Sequence, residues 1–310
     1  MPLPLLALPL IASALLPLAA QVGPFTAPGT IGTPLPEPVA RPPRARPPAG
    51  AAKAAGPRTA KADDGARLRE CLAAADDDPE AGADQAQAWL ATAKGHEAAE
   101  AGLCLGTARS HDEDWSGAEQ AFLAALDSAG SDRLLRARLG AMAGNAALAA
   151  GSPERALTAL DTARTEAKGL ADPAMIAPIA LDRARALVAL GRLVEAGAAL
   201  GEARTAAPGD SEPWLLSATL ARRQGRLAEA QALIERAADL RPVDPDIGLE
   251  AGVIAMLAGR PEAARKSWES VVAIGADSQT AATARGYLAQ LGPTPAPATR
   301  PGAAAAGPKP

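Results

Sequence analysis

From residue 178 to residue 277 the small and large apolar positions keep a beat of 34. Gly191, Gly225 and Gly259 stand 34 residues apart. Five residues after each comes Ala196, Ala230 or Ala264, and seven further on Ala203, Ala237 or Val271. Between them sits a larger apolar side chain, Leu200, Ile234 or Trp268. Several columns on one period make an internal repeat, which must be read before any single element. A glycine in the middle of a 34-residue helical pattern predicts a turn between two helices. Small residues on one helical face let those helices approach closely, and the large residue fills the space beside a neighbour. Pro208 and Pro242 close the first two units, with Ala276 at that place in the third. A hairpin of this kind buries its apolar face only by stacking on the next.

Trp214-Leu215-Leu216-Ser217-Ala218, then Gly225-Arg226-Leu227-Ala228-Glu229-Ala230, then Ile234, Ala237 and Pro242 resemble a tetratricopeptide repeat. Trp214 matches the family's first-helix tryptophan and Ala218 its small packing residue; Ala221 stands where the family has a tyrosine. The resemblance implies an all-α, right-handed superhelical solenoid of helical hairpins. It also implies a non-catalytic function, holding a protein or peptide in a groove.

Weaker copies precede these units. Residues 66–98 read as a short end unit with Ala86, Leu90 and Ala93 in the second helix and no turn glycine. The next unit has Gly106 as its small residue, Glu113-Asp114-Trp115 in place of the turn glycine, then Ala118, Phe122 and Ala125. A third has Gly144, Gly151-Ser152-Pro153, Ala156, Leu160 and Ala163. The 40 residues from Gly151 to Gly191 exceed the period, and the surplus falls around Gly169 to Pro173, as a longer helix or a loop. Thr280 to Leu291 reads as a lone capping helix. The expected domain thus spans residues 66–291, about six repeats and a cap.

Composition changes the picture at the ends. The chain is 48% apolar but only 2% aromatic, which favours thin, close-packed helix pairs. Residues 1–20 are apolar throughout and read as a secretory signal with Ala19-Ala20-Gln21 as the cleavage point. No Lys or Arg precedes the apolar run, and Pro2, Pro4, Pro9 and Pro17 interrupt it. An uncleaved anchor is the alternative, and the only route to membrane contact. No cysteine lies there to carry a lipid. Residues 21–65 form a Pro/Ala-rich basic linker containing Arg41-Pro42-Pro43-Arg44, and residues 292–310 a second Pro/Ala/Gly tail; both lack the large apolar residues that a fold needs. The expected location is the periplasm or cell envelope. The whole chain carries 31 basic and 35 acidic residues. With basic residues concentrated in the linker, the helical part is acidic, which disfavours a nucleic-acid partner.

The chain offers little catalytic chemistry. No serine has a base partner nearby in sequence, no Gly-rich phosphate loop follows a strand, and no cofactor is called for. His96 is expected in a turn after a second helix. His111 lies in Ser110-His111-Asp112-Glu113-Asp114, whose spacing fits no calcium loop, so no metal is assigned. Cys71 and Cys104 fall in consecutive first helices at nearly equivalent places. In an exported chain they predict a disulfide; in a reducing compartment, two buried small side chains. The inner face of the solenoid is expected to present Asn145, Leu181, Arg185, Val188, Leu215, Thr219, Arg222 and Met256. Asn145 and Arg185 are the candidates to bond a peptide backbone or carboxylate. Ala141 and Leu181 stand where the chaperone-binding members carry lysines, so that subtype is not expected. Two rivals to an assembly scaffold remain: an accessory of cell-wall or polysaccharide machinery, and an enzyme on a helical-repeat scaffold with its site at His111.

Overall fold

A computed structural model describes residues 60–292, with side chains from residue 65. The expected signal segment, the expected linker as far as residue 59 and the tail from residue 293 lie outside the described residues. Within them the regular structure is entirely α-helical. The chain divides into two compact units, the first ending at Ala206 and the second beginning at Ala207.

The first unit holds α1 (Ala60–Asp77), α2 (Pro79–Leu90), α3 (His96–His111), α4 (Trp115–Ser128), α5 (Arg133–Ala149), α6 (Pro153–Leu170), α7 (Pro173–Ala189) and α8 (Leu193–Ala206). Each helix packs on the next in sequence, and α1 also touches α3, as α5 touches α7. The second unit holds α9 (Ser211–Arg223), α10 (Leu227–Leu240), α11 (Pro245–Leu257), α12 (Pro261–Ile274) and α13 (Gln279–Leu291), packed in the same consecutive way, with α9 touching α11 and α11 touching α13. Within each unit, neighbouring hairpins thus meet where a second helix packs on the next first helix, with first-helix contacts added at the pairs named. α1 starts at Ala60, earlier than the Ala66 expected from the sequence.

The periodic columns are the core. Ala196, Leu200 and Ala203 on α8, Ala230, Ile234 and Ala237 on α10, and Ala264, Trp268 and Val271 on α12 are all buried. In three hairpins the large residue of the second helix fills the space beside a glycine 16 positions before it on the first. A Cβ on Gly106 would meet the Phe122 ring at 2.4 Å, on Gly144 the Leu160 side chain at 2.4 Å, and on Gly252 the Trp268 indole at 2.1 Å. The side-chain volume of one helix therefore occupies the place where the other has none.

The turns repeat as closely as the cores. Gly191, Gly225 and Gly259 adopt φ of 72°, 74° and 71°, a conformation open to glycine at little cost. At Gly225 the amides of residues 225, 226 and 227 bond the carbonyls of Arg222, Ala221 and Gly225. Glu113, at φ 58°, makes the same set with residues 110, 109 and 113, so an acidic residue occupies the glycine's left-handed position. A further column escaped sequence reading. Asp210, Asp244 and Ser278, again 34 apart, cap α9, α11 and α13, each accepting from the first-turn amides.

The surplus between Gly151 and Gly191 is helix. α6 and α7 have 18 and 17 residues, against 14 and 13 in α10 and α11. Their corner turns at Ala171, with φ of 52°. The first-helix start lies at Pro173, capped by Asp172, which leaves Pro178 inside α7.

Candidate functional site

In the second unit the first-helix face is built by α9 and α11 in register. Leu215, Thr219 and Arg222 on α9 have Leu249, Val253 and Met256 as their 34-residue counterparts on α11; Arg223 has Leu257. An ordinary surface helix is apolar on one stripe only. α11 is apolar on both sides. Ile247, Gly252, Ile254 and Ala255 face the core, Leu249 and Val253 are half-buried against the Trp268 cluster, and Met256 and Leu257 are 42% and 56% exposed. Leu215 packs partly on the neighbouring cluster around Ile234, and Thr219 is half-buried. Arg222 is half-buried and donates through Nε to the Glu250 carboxylate at 2.6 Å, tying α9 to α11. Arg223 projects its charge from the end of α9, exposed. Asp246 of α11 accepts from Thr280 of α13, 34 residues on, at 3.0 Å.

In the first unit the expected residues divide. Asn145 on α5 and Val188 on α7 are half-buried. Leu181 is 5% exposed and belongs to the core, not to a lining: α7 packs against α5, α6 and α8, which cover that face. Arg185 is half-buried and bonded to Asp182, itself a buried carboxylate, at 2.5 Å. Its charge is thus already matched within α7. Asp182, Glu250, Arg223 and Leu257 were not singled out from the sequence. Arg222 and Met256 one residue earlier were the available signal for the last two, since both pairs repeat at 34.

The other candidate centres have structural roles. His111 ends α3, with Nδ1 3.0 Å from the Ala75 carbonyl and 3.6 Å from the Asp76 carboxylate, joining α3 to α1. Asp114 caps α4 by accepting from the Gly117 amide at 2.9 Å, and Glu113 makes the turn. His96 is not in a turn: it is the first residue of α3, between Glu100 at 3.6 Å and Asp132 at 3.8 Å. Gly95, at φ 56°, supplies the break one residue earlier. Among the described residues, no three His, Cys, Asp or Glu side chains are grouped as a metal ion requires, and no helix is long and apolar enough to cross a membrane.

Cys71 of α1 and Cys104 of α3 form a disulfide, with Cα atoms 6.1 Å apart. Beside it, Glu97 accepts from both Arg67 at 3.0 Å and the buried Trp89 indole at 2.7 Å, while the Arg67 guanidinium lies 4.6 Å from the Trp89 ring centre. Three helices are joined there by one carboxylate and one ring.

No family model matches the chain, and no curated protein matches it. Solved structures do. One from a functional characterization of Pseudomonas aeruginosa PilF is 13% identical, with a TM-score of 0.58 over 73% of this chain and 98% of that one. PilW, titled a widely conserved type IV pilus biogenesis factor, is 17% identical, with a TM-score of 0.57 over 71% and 97%. BtubC (BKLC) from P. vanneervenii is 18% identical, with a TM-score of 0.54 over 76% and 92%. At such identities the likeness shows the fold: helical hairpin repeats of the tetratricopeptide type, as the sequence resemblance implied.

Proposed function

We propose that this chain is a non-catalytic scaffold of the tetratricopeptide type that holds a segment of a partner protein on a first-helix face. In this reading it serves in the cell envelope as an assembly or accessory factor. The observation that carries the reading is the second apolar side of α11. Exposed Met256 and Leu257 continue the half-buried Leu249 and Val253, and Arg222 and Arg223 occupy the equivalent places on α9. A helix that exposes large apolar side chains beyond the face its own core needs has a surface suited to a second protein. The segment that fits presents an apolar side chain to Met256 and Leu257 and a carboxylate to Arg223. Export is supported by the apolar leader with its small-residue cleavage point and by the disulfide, a bond of oxidising compartments. The envelope role is further supported by the likeness to PilW, a pilus biogenesis factor.

The test is site-directed photo-crosslinking in intact cells, with the reactive group at residue 257 and, as control, at Val243, which is 70% exposed in the same unit. A discrete protein adduct from residue 257 that is absent from residue 243 and weakened by Arg223→Glu is expected. The same adducts from both positions, or none from residue 257, would remove α11 as the holding face.

A further inference from the structure

Helix α1 is attached by unusual means. Of its side chains from Gly65 onward, only Cys71 and Ala75 are buried; Leu68 and Leu72 are half-buried. The other first helices of this unit each bury at least two large apolar residues: Leu103 and Leu105 on α3, Leu135 and Leu139 on α5, Ile179 and Leu187 on α7. Yet α1 covers an apolar cluster formed by Ala86, Trp89, Ala101, Cys104 and Leu105. Its apolar ties are the half-buried Leu68 and Leu72 and the close approach of Ala75 to Gly82. Its polar ties are Arg67 to Glu97 and the Trp89 ring, half-open to water, and His111 to the Ala75 carbonyl and Asp76. Solvated pairs of this kind move an equilibrium by only a factor of a few.

We infer that the Cys71–Cys104 bond is a redox latch. Bond formation, not apolar packing, keeps α1 over the face of α2 and α3, so the first hairpin closes only where thiols are oxidised. Two thiols yield one disulfide, two electrons and two protons. The electron acceptor is another disulfide, of a protein or a small thiol, which is released as its two thiols. Both sulfur-bearing residues are 0% exposed in the closed state, whereas exchange needs an accessible thiolate. The bond therefore forms while α1 is lifted and is shielded once α1 is down. Cross-linking positions 33 residues apart restricts the open state, by loop-closure entropy, by roughly a few hundred-fold. Reduced, α1 leaves, and the Trp89 cluster is uncovered. This inference does not depend on what α11 holds.

Hydrogen exchange on the full chain tests it, comparing the oxidised protein with the same protein refolded in dithiothreitol. The reduced chain keeps both sulfurs, so lost packing volume is not a confounder; Cys71→Ala with Cys104→Ala is the second variant. Amides of α1 are expected to exchange about a hundredfold faster or more in both, with α5 to α8 and the second unit unchanged. Undiminished protection of α1 in the reduced chain would overturn the latch. So would an equal loss across α3 to α8, which would make the bond a general stabiliser of the unit.

Discussion

Helices α11 and α12 meet through a glycine and a tryptophan, whereas α1 meets its neighbours through an alanine, a disulfide and a shared carboxylate. In the last hairpin the Trp268 indole fills the space above Gly252, donates to the Leu249 carbonyl at 3.2 Å and lies 5.0 Å from the Tyr287 ring of α13, the two rings tilted by 39°. In the first, the closest approach is backbone to backbone: a Cβ on Gly82 would meet Ala75 Cα at 2.5 Å. No large side chain of α1 is buried there. The difference teaches that a repeat can be closed by complementary volume or by bonds at its margin. Only volume carries a periodic signature, because it constrains residue size at fixed spacing.

The largest effect expected is at the volume-closed end. Gly252→Ala puts a methyl group into the Trp268 indole and should destabilise the second unit by about 1–3 kcal/mol. Gly286→Ala, in α13 with nothing within 4 Å of the added Cβ, should stabilise it by about 0.5–1 kcal/mol through helix propensity alone. Urea unfolding followed by tryptophan fluorescence reads both. Equal shifts for the two variants would mean that helix propensity and not fit governs this hairpin, and the contrast between the two ends would fail.

Legibility followed the same division. Ala196, Leu200 and Ala203 with their two successor sets mark nine buried places by spacing alone, because only certain sizes fit between helices. The caps Asp210, Asp244 and Ser278 kept the same period unseen, since a carboxylate and a hydroxyl serve alike and the column changes residue type. Leu181 was misplaced because a period gives the phase of a helix but not how far neighbours cover it; Asp182 beside it is buried too. Arg185 and Arg222 were readable as charges, but their matching by Asp182 and Glu250 depends on side-chain reach, which spacing does not encode. The cysteine pair was readable because equivalent places on stacked first helices lie close together.

A second prediction separates closure from turning. If the hairpins differ only in how their helices are held, the turn should obey one rule throughout. Glu113 at φ 58° occupies the position that Gly225 fills at 74°. A non-glycine residue there costs on the order of 1 kcal/mol. Glu113→Gly should therefore raise stability by about 1 kcal/mol or somewhat less, the added chain entropy of glycine offsetting part of the relief. Gly225→Ala should lower it by a similar amount. Calorimetric unfolding midpoints that move in the same direction for both would show that the two turns are not equivalent.

The smallest effect concerns the polar ties within the first unit, and it carries a pH signature that volume closure lacks. Glu202 of α8 accepts from Arg164 Nε at 2.7 Å and lies 3.0 Å from Lys168 Nζ, both on α6. Partial burial raises its carboxyl, but the hydrogen bonds from Arg164 and Lys168 outweigh that, and the folded value lies below the ordinary one. A carboxylate lowered on folding contributes stability above its unfolded value and loses it as pH falls through the folded one. Screened by solvent, the contribution should be under about 1 kcal/mol. Glu202→Gln is thus expected to lower the unfolding midpoint at neutral pH and to narrow its gap from wild type as acid is added. Glu195 offers the control: its carboxyl is also held low, by the hydrogen bond from Arg192, but it is fully exposed, so Glu195→Gln should leave the curve in place. If Glu202→Gln shifts the midpoint equally at neutral and acid pH, the tie between α6 and α8 acts by packing rather than charge. The polar margin of the first unit would then be nearer in kind to the tryptophan joint of the second.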